Sequence, residues 1–124
     1  MPFLPKNAAI WSEIPVWDFD AGCAFYSAVF DIELQVTKGG PNPMAIFPTE
    51  DPATGIGGNI YPGKPYSTGM TIQMPVPDTL AASSDRCTSA GGTLVGDPVD
   101  IPAGRFQYIR DPYDNSIGLF EQKS

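Results

Sequence analysis

The chain repeats itself, and that repeat limits its possible folds more than any other feature. Glu13-Ile14-Pro15-Val16-Trp17-Asp18 returns as Gln73-Met74-Pro75-Val76-Pro77-Asp78, an offset of 60 residues. The same offset carries Asp51-Pro52 onto Asp111-Pro112. With a shift of one or two further residues, Ile56-Gly57-Gly58-Asn59-Ile60 falls on Ile117-Gly118-Leu119-Phe120. Self-similarity at a fixed period marks a duplicated supersecondary unit. The chain therefore reads as two modules, about residues 8–62 and about residues 68–122, in one domain spanning 1–124.

Each module reads as βαβββ. In the first, residues 9–16 form a strand, and Asp18 or Asp20 caps a helix over 19–30. Phe19, Cys23, Tyr26 or Ala24, and Phe30 recur there at helical spacing, and Phe25, Tyr26 and Phe30 read as core. Residues 32–37 alternate as a strand, Gly39-Gly40-Pro41 turns the chain, and strands follow over 44–47 and 56–61. In the second module the strand is 70–76 and the helix 79–90, stopped by Gly91-Gly92. Strands over 93–95, 106–110 and 116–121 complete it.

Composition removes several classes of function. The formal charge is −7 and the seven cations are scattered, so no basic surface exists to neutralise nucleic-acid phosphates. No apolar run approaches the roughly 20 residues that span a bilayer, and the N-terminus has no signal-peptide pattern. The expectation is a cytoplasmic protein with no nucleic-acid or membrane partner. Cys23 and Cys87 have no CxxC spacing and read as small apolar helix residues, not as a disulfide. The chain has no histidine, which excludes Ser–His–Asp and Cys–His nucleophiles. Gly57-Gly58 and Gly91-Gly92 lack the context of a phosphate-binding loop. Arg105 and Arg110 read as solvated strand-end residues.

Two stretches carry a family resemblance: Asp18 through Ala24-Phe25-Tyr26 to Phe30, and Arg110-Asp111-Pro112-Tyr113-Asp114-Asn115-Ser116-Ile117-Gly118-Leu119-Phe120-Glu121. With the repeat, they resemble the vicinal oxygen chelate superfamily of glyoxalase I, extradiol dioxygenases and the fosfomycin- and bleomycin-resistance proteins. The nearest group is similar to small bacterial glyoxalase-like proteins. The resemblance implies an α+β fold of two βαβββ modules forming a curled eight-stranded mixed sheet, with helices outside, and a homodimer.

In metal-bearing members of that superfamily, the first and last strand of each module supply His, Gln or Glu ligands. The resemblance puts those positions at Trp11 and Thr71 on the first strands, at Gly118 on one last strand, and at Gly57 or Gly58 on the other. None offers a side-chain ligand for a divalent ion, so no metal and no cofactor is expected. Glu121 points away from the face that carries Gly118 and Phe120, which leaves Glu13 as the one inward carboxylate.

Period-two alternation places Trp11, Glu13, Thr71 and Gln73 on the face of the ligand positions. Phe120 joins them, with either Gln107 or Tyr108, of which Tyr108 is preferred. This set reads as an aromatic-lined site for a small, cationic or aromatic organic ligand. Trp11 would stack, and Glu13 and Gln73 would hydrogen-bond. Two other readings stand beside it. One is a metal-independent isomerase- or lyase-type enzyme, related to lactoylglutathione lyase, with Glu13 as catalytic general base. The other is a non-catalytic dimeric interaction module whose strand faces are simply core.

Overall fold

The computed structural model describes residues 2–38, 42–65 and 69–123, so the turn expected at Gly39-Gly40-Pro41 lies outside the described residues. Eight strands and two helices are present among them: β1 (Trp11–Val16), α1 (Phe19–Phe30), β2 (Gln35–Thr37), β3 (Met44–Ile46), β4 (Gly57–Pro62), β5 (Thr71–Pro75), α2 (Leu80–Ser89), β6 (Thr93–Ile101), β7 (Gly104–Arg110) and β8 (Ser116–Gln122). The chain divides into two compact units. One comprises Trp11–Met70, and the other comprises Met1–Ile10 with Thr71–Ser124. Each has the order βαβββ and a mixed four-stranded sheet, an α+β fold repeated.

In the first unit the strands lie in the order β2-β3-β4-β1. β1 and β4 run parallel, with Trp11 opposite Gly57 and Glu13 opposite Asn59. β3 is antiparallel to β4 and to β2. The register puts Trp11, Glu13, Gly57, Asn59, Tyr61 and Ile46 on one face. Ala45 and Ile60, both 0% exposed, fall on the opposite, helix-bearing face. α1 starts at Asp18, whose carboxylate accepts from the Ala21 N–H at 3.0 Å. It ends at Asp31 in the left-handed region (φ 52°, ψ 51°).

α1 differs from expectation on its surface. Phe25 and Phe30 are 59% and 60% exposed, so neither is core in this chain. Tyr26 is the residue that meets the sheet, edge-on to Phe47 at 5.5 Å. Phe25 stands one helical step, about 100°, off that line. The strand expected from residue 32 begins at Gln35. The Ile32 N–H still serves the helix end, donating to Ser27 O at 3.2 Å. β1 begins at Trp11 rather than at residue 9, because that is where pairing with Gly57 begins.

The second unit has the order β5-β8-β7-β6. β5 and β8 are parallel, and Gln73 lies opposite Gly118. Ile10 belongs to this unit and donates its N–H to Gln73 O at 2.9 Å. Leu80, at 2% exposure, seats α2 on the sheet, and Thr79 caps it by accepting from the Ala82 N–H at 3.1 Å. β6 runs to Ile101, six residues beyond the expected end at Val95. Gly96-Asp97-Pro98, beyond the expected strand end, carries turn-favouring residue types. It is instead a bulge between Val95 and Val99, with Gly96 at φ 69° absorbing the kink.

Candidate functional site

Two strand faces, one in each unit, carry the side chains that the sequence singled out. In the first unit the Trp11 indole N–H donates to Asn59 Oδ1 at 2.6 Å. The six-membered ring lies over Gly57, where an added Cβ would stand 3.1 Å from Cζ3. Both contacts follow from the parallel register, which puts a glycine directly across from Trp11 and an amide two residues further along. Asn59 is 5% exposed, and its Nδ2 donates to Ile60 O at 3.3 Å. Glu13 stands opposite Asn59, half-buried and one pleat repeat from Trp11.

In the second unit the Thr71 and Ser116 hydroxyls share a hydrogen bond at 2.6 Å. Gln73, 3% exposed, lays its amide over Gly118, in the space a side chain at 118 would need. Tyr108 pairs with Gly118 and Phe106 with Phe120 across β7 and β8. The rings of Phe106 and Phe120 stack with centroids 6.2 Å apart, and Phe106 meets Tyr108 edge-on at 5.2 Å. This settles the phase of β7 in favour of Tyr108. Gln107 lies on the other face, where its Nε2 donates to the carbonyls of Val95 and Gly96 at 3.1 Å and secures the β6 bulge.

The register corrects one correspondence. Glu13 faces Asn59 just as Gln73 faces Gly118, so the repeat mate of Gly118 is Asn59, not Gly57 or Gly58. Gly57 corresponds to Ser116, the partner of Thr71. Sequence reading missed Asn59, Ser116 and Phe106. Alternation back along β8 from Phe120 reaches Ser116, and an offset of 59 instead of 60 for the last strand reaches Asn59.

Glu121, Arg105 and Arg110 have structural partners. Glu121 is on the helix-bearing face and accepts from the Leu80 N–H at 2.6 Å, closing the start of α2. Arg105 pairs with Asp100 at 2.7 Å. Arg110 donates to Asp114 O at 3.2 Å. Burial pushes the Cys23 and Cys87 thiols up, and Asp20 adds to this at Cys23, so neither is an activated nucleophile. An open groove of about 530 Å³ lies beside Cys23, lined by Phe19, Asp20, Val36, Lys38 and Pro43 on the helix side of the first unit. Among the described residues, no three His, Cys, Asp or Glu gather in a way that could hold a metal ion. No described helix is long and apolar enough to cross a membrane.

Residues 9–119 match the Glyoxalase/Bleomycin resistance protein/Dioxygenase superfamily, and the chain belongs to that superfamily. Among curated proteins, none matches the sequence. Solved structures with this fold include a hypothetical protein from Bacillus halodurans (TM-score 0.68, 12% identity, 97% of each chain covered). Methylmalonyl-CoA epimerase from Mycobacterium tuberculosis is also similar (TM-score 0.63, 19% identity, covering 98% of this chain and 94% of that one). A third is methylmalonyl-CoA epimerase from Streptomyces coelicolor in complex with 2-nitronate-propionyl-CoA (TM-score 0.62, 16% identity, 95% and 99% covered). At these identities the likeness is one of fold.

Proposed function

We propose that this member of the superfamily binds a small organic molecule on its strand faces and does so without a divalent metal. Trp11 and Glu13, joined by Asn59, line the face in the first unit. Thr71, Gln73, Tyr108 and Phe120 line the corresponding face in the second.

One observation carries this reading: the groups at the expected ligand positions are engaged with their neighbours in ways that do not suit a cation. The indole nitrogen of Trp11 bears a proton, which it donates to Asn59 Oδ1. The Thr71 hydroxyl is shared with Ser116, and Gly118 has no side chain. At the fourth position the Asn59 amide oxygen is taken up by that indole N–H, so the set does not assemble the His, carboxylate and amide ligands that a divalent ion of this kind takes. Aromatic surface interspersed with a few polar groups instead fits an organic ligand. The reading is supported by an epimerase of the same fold that is known in complex with 2-nitronate-propionyl-CoA. As the resemblance implies, the protein would act as a homodimer.

A thermal-shift screen over aromatic and charged compounds tests the reading. A ligand at about 100 times its Kd stabilises by roughly 2.7 kcal/mol, a rise on the order of 10 °C in Tm at this chain length. Hits should be lost in Trp11→Ala, and a flat response across a broad library contradicts the proposal.

Glu13 supports a second reading, a metal-independent proton transfer of isomerase or lyase type. Its carboxylate is the one formally charged side chain on β1–β4. If it is the base, Glu13→Gln abolishes turnover and leaves Tm nearly unchanged. A large loss of Tm makes Glu13 structural.

A further inference from the structure

The strand face of the first unit is chemically lopsided. β1, β2, β3 and β4 contain no lysine or arginine, and Glu13 alone supplies a formal charge. On one side of Glu13 along β1 is the Trp11 indole. On the neighbouring β4, two residues beyond Asn59, is Tyr61, paired with Pro15. The indole is anchored by its edge, through the 2.6 Å bond to Asn59, and by its six-membered ring over Gly57. Its π electrons are therefore held at fixed geometry, and the backbone of Glu13 follows one pleat repeat, roughly 7 Å, along the same face.

Resting on the reading of this face as a binding surface, we propose that it selects ligands carrying a positively charged nitrogen, a protonated amine or a quaternary ammonium. A cation over an indole is attracted by the ring quadrupole, most strongly when partly desolvated. A carboxylate beside it adds a charge-assisted interaction that a neutral isostere cannot make. The chain's net charge of −7 draws cations toward the protein and repels anions. A neutral aromatic ligand would gain the stacking alone.

Trp11 fluorescence tests this directly. Of the two tryptophans, Trp17 is 79% exposed and plays no part in the face, so Trp17→Phe leaves Trp11 as the only reporter. Benzyltrimethylammonium, benzyl alcohol and benzoate are titrated into this variant at low and high salt. The cation should bind about tenfold or more tightly than the alcohol, and the advantage should shrink as salt screens the charge. Glu13→Gln should bring the cation within about twofold of the alcohol, while Glu13→Asp, which keeps the charge, retains most of the preference.

Equal affinity for cation and alcohol, or tighter binding of benzoate, overturns the proposal. It is also overturned if neither probe binds while the thermal-shift screen finds other ligands, and the small-molecule reading then stands. A flat screen removes both. A preference that survives Glu13→Gln removes Glu13 from it and contradicts the assignment.

Discussion

Gln73 and Gly118 hold each other in place. The amide of Gln73 is buried over a backbone that has no Cβ, and a methyl at 118 would collide with it. Gly118→Ala should cost about 1–3 kcal/mol, read as a fall in the denaturant midpoint. Gln73→Ala removes the collision, so the double variant should be markedly less destabilised than the two single losses added together. Additive losses would show that the residues are independent. The pair was half legible in sequence. Period-two alternation places Gln73 on the face of Gly118, but nothing in the letters says that the glycine is vacant because a glutamine fills its space. Asn59 was hidden for a related reason. Its identity as a site residue depends on a strand register, and β4 starts six residues after Asp51 whereas β8 starts five after Asp111, which moves the offset from 60 to 59.

At the scale of elements, helix ends are where the sequence speaks most clearly. The short polar side chains of Asp18 and Thr79 satisfy the first free N–H groups of α1 and α2, and these contacts require only local chemistry. Asp18→Ala should lower stability by about 1 kcal/mol, measured by urea denaturation. The other end of α1 is less well served, because Asp31 takes a left-handed conformation that glycine adopts more easily. Asp31→Gly should raise stability by about 0.5–1 kcal/mol, and a loss would show that the aspartate side chain has a role at that turn. β6 was misjudged because Gly96, Asp97 and Pro98 carry the letters of a turn, whereas the ladder resumes beyond them.

The loop before β8 supplies a pH signature. The Asn115 side chain donates to the Asp111 carboxylate at 2.9 Å, and the N–H groups of Asn115 and Tyr113 donate as well. Together these hold its pKa below the ordinary carboxylate range. At the start of α2, hydrogen bonds from Arg86 and Ser83 do the same for Asp78. A carboxylate whose pKa is lower folded than unfolded binds fewer protons in the folded state. Its stabilisation is therefore present above the ordinary value of about 3.9 and is lost as pH falls through the folded value. Tm should hold through neutral pH and drop in that acid window. Asp111→Asn should make the drop shallower, and an unchanged acid limb would contradict this account.

Across the whole molecule, duplication is what made the fold readable. Two βαβββ units with parallel first and last strands place the same four strand positions on a face twice, and residues 9–119 match the superfamily on that pattern. Function is less readable because it depends on the side chains at those positions, which the fold does not dictate. Where the resemblance implies metal ligands stand an indole bonded to an amide, a hydroxyl pair, and a glycine under a buried glutamine. Metal analysis of the purified protein tests that arrangement most directly. The chain is incubated with nickel, cobalt, zinc or manganese, dialysed, and measured by elemental mass spectrometry. The account predicts far less than one ion per chain for every metal. One ion per chain, retained through dialysis and lost in Glu13→Gln or Asn59→Ala, would contradict it.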